Sequence, residues 1–293
     1  MQTDLTWEDV TVQVGAGAIR GSLVMPQGGV SAVVVVHPAT ATPQRFYAGF
    51  AEAIAARGAA TITYDYRGTG RSGDPRRLRH LGMRNWMSED VPAVAGWAAQ
   101  RFPGVAHRAV GHSIGGHALA LGYGMDSVDR VALVSSHLGV TRQIASRRER
   151  LRVGLILRVV GPVLSRLLGY MPGKRLGLGE DMPGTAMLEW GRWSRLPHYF
   201  FDDDSMEAAA RAAAVDADVL AVGASDDAWA SLHQIEALIS RLTSARVEHR
   251  TVTPSQLDLP RLGHHGLLSR RSGDAAWRPI LDWVLAPVPR LAA

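Results

Sequence analysis

The sequence contains no cysteine, and Lys174 is its single lysine among 32 basic residues. Without a thiol, thiolate nucleophiles, CxxC redox chemistry, zinc–thiolate sites and disulfides are all excluded, while the redox compartment stays open. Uninterrupted apolar runs of membrane-spanning length are also missing. The most apolar stretch, residues 151–171, is broken by Arg152, Arg158, Arg166 and Pro162, and it reads as an amphipathic helix or a lid. The opening MQTDLTWEDVTVQV has no basic region followed by an apolar one, which reads as no secretory signal and makes the cytoplasm the default location.

What is present is a globular composition. With 293 residues, 46% hydrophobic and 20% charged, the chain can bury a large core as one domain or as one domain carrying an insertion. The net charge of +5 is carried by arginine, clustered at 76–84 and 142–152. Positive charge can mark an anionic partner. No nucleic-acid module accompanies these clusters, so no nucleic-acid partner is expected and they read as solvated faces. The arginines near 147–152 carry one narrower idea, contact with an anionic leaving group.

Short β-branched runs alternate with helical patterns. TVQV (11–14) and GSLVM (21–25) read as a hairpin around GAGA, and AVVVVH (32–37), apolar throughout, reads as a strand buried on both faces. A helix follows over 45–58, then a strand over 60–68, then a helix over 88–102 that Ser88 and an acidic first turn would cap. Strands at 107–112 and 130–136 flank a helix that opens at Ile114. From 138 to 212 the rhythm breaks into helical and irregular sequence without a clear buried strand. It resumes with a strand at 218–224, a helix at 229–242, a strand at 246–253 and a helix at 275–285. Alternating order of this kind predicts an α/β fold, a mostly parallel sheet with helices on both faces. The segments are then a core over 1–137, an inserted helical cap over 138–212, and the rest of the core over 213–293.

Within VGHSIGGHA (110–118), Ser113 stands between Gly111 and Gly115 where a strand turns into a helix. A sharp turn needs such small neighbours, and the helix N-terminus favours developing negative charge beside an exposed hydroxyl. Downstream, VGASDDAW offers Asp226 and Asp227 after a strand, and LGHHG offers His264 and His265. Chance glycine–serine spacing makes the motif alone weak, whereas the ordered Ser, Asp, His context does not arise from the same accident. His112 and His117, without carboxylates nearby in sequence, read as structural. No third ligand joins the histidine pairs, so no metal is expected, nor any other cofactor.

This order of Ser, Asp and His resembles that of the α/β-hydrolase superfamily. YDYRGTGRSG (64–73) is similar to a structural turn of that superfamily, and VVVVHPATA (33–41) to its oxyanion loop, with Pro38 where a glycine is usual. GYMPGKRLGLGEDMPGTAMLEWGRWSRLPHYFFDD (169–203) resembles the cap of bacterial predicted α/β-hydrolases related to the serine aminopeptidase S33-like set. The resemblance implies the α/β-hydrolase fold with Ser113 as nucleophile and His264, directly after Gly263, as base. It also implies Asp227, two residues before Trp229, as acid, leaving Asp226 and His265 as alternatives. By the same analogy the Ala39 and Ile114 amides form the oxyanion hole.

The function expected on this basis is a serine hydrolase that cleaves a carboxylic ester or thioester through an acyl-enzyme on Ser113. The cap aromatics Trp190, Trp193, Tyr199, Phe200 and Phe201 bias the acyl substrate toward an apolar small molecule. An acyltransferase using the same triad, or a non-catalytic ligand-binding protein of the same fold, are the alternatives. A homodimer is left open.

Overall fold

The computed structural model describes residues 5–287. Its main sheet holds β1 (Thr6–Val14), β2 (Gly17–Met25), β3 (Ala32–His37), β4 (Ala59–Asp65), β5 (Ala106–His112), β6 (Val128–Val134), β9 (Asp218–Ala224) and β10 (Arg246–Val252) in the order β1-β2-β4-β3-β5-β6-β9-β10. A separate two-stranded ladder pairs β7 (Tyr170–Met171) with β8 (Met182–Pro183). The β1–β2 hairpin joins β4 antiparallel, and every pairing from β4 to β10 is parallel.

Alternation along the strands builds two cores. Val33 and Val35 enter one apolar cluster while Val34 and Val36 enter the other, because successive strand side chains point to opposite faces. Leu133 and Val134 divide in the same way. Both faces are covered by helices, which explains why β3 and β4 are buried at every position. β10 lies at the sheet edge with sequence RVEHRTV and is mostly solvent-facing, its charges guarding against edge pairing.

The helices are α1 (Ala48–Ala55), α2 (Met83–Asn85), α3 (Val91–Arg101), α4 (Ile114–Ala120), α5 (Arg147–Leu155), α6 (Gly161–Leu168), α7 (Gly184–Trp193), α8 (Ala208–Ala213), α9 (Leu232–Ile239) and α10 (Gly273–Leu285). Helices α5 to α8 and the β7–β8 ladder all fall between β6 and β9. This segment is tied to the core by polar contacts. The Glu180 amide donates to the Ala41 carbonyl at 2.8 Å, and the Arg84 guanidinium reaches both Glu189 and Asp203.

Three local expectations need correction. Residues 138–212 do contain a buried strand pair, β7 with β8, too short at two residues each to leave a periodic signal. Ser88 is not a cap: a π-helical turn over Trp86–Asp90 joins α2 to α3, and Ser88 Oγ donates to the Arg84 carbonyl from inside the run. Finally, α9 starts at Leu232 rather than near 229, because Asp227 Oδ1 accepts the Trp229 and Ala230 amides and holds them in a turn.

Asp65, the last residue of β4, anchors the loops on either side of the strand end. Its Oδ1 accepts the Gln44 amide at 2.7 Å and its Oδ2 the Arg71 amide at 2.8 Å. Behind it, buried Arg67 and Asp90 form an ion pair at 2.5 Å. Burial raises the Asp90 carboxyl to about 6, with Arg67 pulling the other way.

Candidate active site

Ser113 sits between β5 and α4 with φ +53° and ψ −111°, a strained backbone for any residue with a Cβ. Its amide donates to the Val134 carbonyl of β6 at 2.9 Å, and its carbonyl accepts the Gly116 and His117 amides. The turn works only because its neighbours lack side chains. A Cβ on Gly115 would lie 2.3 Å from the His37 carbonyl oxygen, and one on Gly116 would lie 1.9 Å from Ser136 Oγ. The G-x-S-x-G spacing points to the first of these; Gly116 carries its own requirement, visible only once β6 is alongside. Gly115→Ala is therefore expected to destabilise the fold by about 3 kcal/mol, since backbone cannot yield as a flexible side chain would. A thermal or urea melt measures this, and a wild-type midpoint would disprove the close packing.

His264 and Asp227 meet across 37 residues of sequence: His264 Nδ1 lies 2.8 Å from Asp227 Oδ2. The Asp227 side chain is fully buried. Burial pushes its carboxyl up, but the His264 ring and the Trp229 amide outweigh that and hold it well below the usual carboxylate range. Asp227 is thus an anion that can orient an imidazole. Asp226, its neighbour, points elsewhere: its two oxygens accept the Leu262 and Gly263 amides at 3.0 and 2.9 Å, clamping the loop that carries His264.

His265 turns away from both carboxylates, and its Nε2 meets Thr42 Oγ1 at 3.0 Å. Ser113, Asp227, His264 and His265 line a common cleft of about 910 Å³. No hydrogen bond joins the Ser113 hydroxyl to His264 among the described residues, and such bonds often tighten only when substrate is bound.

The Ala39 amide departs from expectation. It donates to Tyr47 Oη at 2.8 Å and so is already engaged. Tyr47 takes this place because the 3-10 turn Gln44–Tyr47 folds its ring beneath the loop, a contact that Pro38 and the sequence around it do not announce. The next amide, Thr40 N–H, has no hydrogen-bond acceptor among the described residues. Thr40 lines the cleft with Ser113, while the Ile114 amide opens α4 and so lacks an intrahelical partner.

Tyr47 also reveals the role of His112. The buried His112 ring has Nε2 3.0 Å from the His264 carbonyl and Nδ1 2.9 Å from Tyr47 Oη. A carbonyl only accepts, so Nε2 carries the proton and Nδ1 accepts from the Tyr47 hydroxyl. Burial keeps the ring neutral. The result is one chain from Ala39 N–H through Tyr47 and His112 to the backbone of His264. His112 is more than packing, and no local signal in the sequence could have shown this strut.

Deeper in, Ser113 opens on a second, small hole of about 20 Å³ lined by Ile114, Val153, Leu157, Trp190 and Tyr199 among others. His117 and His137 border it as neutral rings, pushed down by burial to about 3 and about 4. His117 Nε2 donates to the His137 carbonyl and His137 Nδ1 to the Ser135 carbonyl. Of the aromatics between 190 and 201, Trp190 and Tyr199 reach this wall, while Trp193 and Phe200 pack in the core cluster. No group of three or more metal-ligating side chains occurs among the described residues.

Residues 29–253 match the family model described as serine aminopeptidase, S33. Solved structures with similar folds include an α/β serine hydrolase homologue from Coxiella burnetii, 16% identical, with TM-score 0.54 and coverage of 95% of this chain and 98% of that one. A thermophilic carboxylesterase cloned from a metagenomic library is 17% identical, with TM-score 0.59 over 96% of this chain and 88% of that one. The thioesterase domain from the curacin biosynthetic pathway is 15% identical, with TM-score 0.55 over 94% and 99%. No curated protein matches the sequence. At these identities the likeness is one of fold.

Proposed function

The chain belongs to the serine aminopeptidase S33 family of the α/β-hydrolase superfamily, and on that premise we propose that it is a serine hydrolase of carboxylic esters or thioesters. The observation that carries this reading is the Asp227–His264 hydrogen bond at 2.8 Å beside a strained Ser113 in one cleft. Ser113 Oγ attacks the acyl carbonyl while His264 takes its proton, and Asp227 stabilises the imidazolium that forms. The Ile114 amide and, in place of Ala39, the Thr40 amide donate to the oxyanion. His264 then returns the proton to the leaving alcohol or thiol, and water releases the acid by the reverse sequence.

An ester fits the cleft better than a peptide with a free amino terminus. Such a peptide needs a carboxylate for its ammonium group, but the cleft's Glu180 is paired with Arg45 and Lys174, and Glu149 with Arg152. Arg148 and Arg261 add positive charge to the same walls. The hole of about 20 Å³ beside Ser113 has room for only a very short acyl group, and the cleft of about 910 Å³ has room for the rest of the substrate. The segment between β6 and β9 is read as the cap that closes this site.

Fluorophosphonate labelling read by intact mass tests the assignment. One adduct on the wild type, absent from Ser113→Ala and His264→Ala and retained by His265→Ala, is the expected pattern. A folded wild type that takes no adduct would move the reading to a ligand-binding protein of the same fold.

A further inference from the structure

The helical run from Arg147 to Leu168 carries two stripes with the same four-residue spacing. Val153, Leu157, Gly161 and Ser165 are buried, and this side packs on α7, with the Gly191 and Met187 positions in close approach. Leu151, Leu155, Val159, Val163 and Leu167 form the other stripe, and they stand 48–76% exposed. A four-residue repeat drifts by about 40° per step around a regular α-helix. The π-helical turn over Ile156–Val160 winds more slowly and so keeps the exposed stripe nearer one line. An apolar ridge about 25 Å long therefore faces solvent.

The charges beside the ridge are of one sign. Arg147 heads the ridge at the same four-residue spacing, Arg158 and Arg166 lie three positions from ridge residues and so on its flank, and Arg148, also three positions away, lines the cleft. Each is exposed, and none forms an ion pair among the described residues. The one carboxylate on the run, Glu149, is occupied by Arg152 and Trp229. Exposed Arg175 and Leu176 extend the pattern just beyond the run. No helix among the described residues is long and apolar enough to cross a membrane, so the ridge is suited to lying in an interface rather than spanning one.

We propose that the Arg147–Leu168 run docks this protein in-plane on the surface of an anionic phospholipid bilayer. The leucines and valines enter the headgroup–acyl boundary while the flanking guanidinium groups meet lipid phosphates. A second copy of this chain is the poorer occupant, because a self-complementary contact would bring the same unpaired arginines face to face. Arg152 and Ile156 of the same run line the cleft, so docking holds the cleft's edge at the lipid surface. A bilayer-borne ester as substrate is implied only if the hydrolase reading stands.

Flotation of the full chain with vesicles of equal parts phosphatidylglycerol and phosphatidylcholine tests the surface without recourse to activity. Wild type is expected to float with these vesicles and much less with phosphatidylcholine alone, and added salt should weaken the binding. Arg158→Gln with Arg166→Gln should lower partitioning about 30-fold. Leu151→Ser, Leu155→Ser and Leu167→Ser together should lower it by more than about 100-fold. These three leucines lie outside the cleft lining, so circular dichroism and labelling of Ser113 should match wild type. A folded wild type that stays with neither vesicle overturns the proposal. So does binding that survives the leucine changes, or a wild-type dimer that those changes dissociate without any vesicle binding.

Discussion

Ser113→Ala is expected to lower kcat/KM on a short-chain ester by about 10⁵-fold, leaving only what binding and oxyanion stabilisation contribute. The backbone at Ser113 is held by the Val134 carbonyl and by α4, so alanine should fold into the same turn and the loss should fall on kcat. The carboxylates separate by the same assay. Asp227→Asn, which removes the anion facing His264 Nδ1, should cost about 10⁴-fold. Asp226→Asn loosens the Leu262–Gly263 clamp instead and should cost no more than about 100-fold, through misplacement of the ring. Equal losses from the two would break the assignment of Asp227, and a fully active Ser113→Ala would break the acyl-enzyme reading altogether.

A second large effect concerns acid. Four histidines are buried and neutral: His37 and His117 are held at about 3, His137 at about 4, and His112 well below its ordinary value, in each case chiefly by burial. Unfolding frees them to protonate near 6.5. In the window below 6.5 the unfolded chain therefore binds more protons than the folded one, and stability falls as pH falls. At pH about 5 His37, His117 and His137 each cost about 2 kcal/mol relative to neutrality, or about 6 kcal/mol together, and His112 acts in the same direction. Asp90, raised to about 6, works in the opposite sense between its unfolded value and 6 and returns about 1 kcal/mol at the same pH. The remainder is comparable to the whole stability of an ordinary domain.

One cooperative loss of tryptophan fluorescence and circular dichroism between pH about 5.5 and about 4 is expected. Asp227, whose carboxyl is held below its usual range, adds to the loss only at lower pH still. A chain that stays native at pH 3.5 would show that these rings are not buried and neutral as described.

Much of the molecule was legible before its structure. Strands β3 and β9 fall at the residues their apolar runs mark, 32–37 and 218–224, because burial on both sheet faces writes itself into consecutive positions. The elbow at Ser113 was legible for a steric reason that is equally local, the glycines on either side. Where side chains override local preference, legibility ended. Asp227 unwinds the first turn expected of α9, and a two-residue ladder such as β7–β8 has no period to detect.

The α/β-hydrolase fold and the family came from the resemblance of the ordered Ser, Asp and His and of residues 33–41, 64–73 and 169–203, whereas strand periodicity and the small residues around Ser113 were enough by themselves to determine an α/β layering and the turn at Ser113. They act through neighbours a few residues apart, which is the range over which backbone sterics and burial patterns operate. Tertiary structure alone decided the choices between adjacent residues: that Asp227 faces His264 while Asp226 grips a loop, and that His265 turns to Thr42. It alone showed the Ala39 amide taken by Tyr47, with His112 carrying that contact on to His264. These are matters of direction across 8 to 223 positions of chain, and a hydrogen bond's preference for one lone pair or one N–H exists only after the fold has brought the groups together.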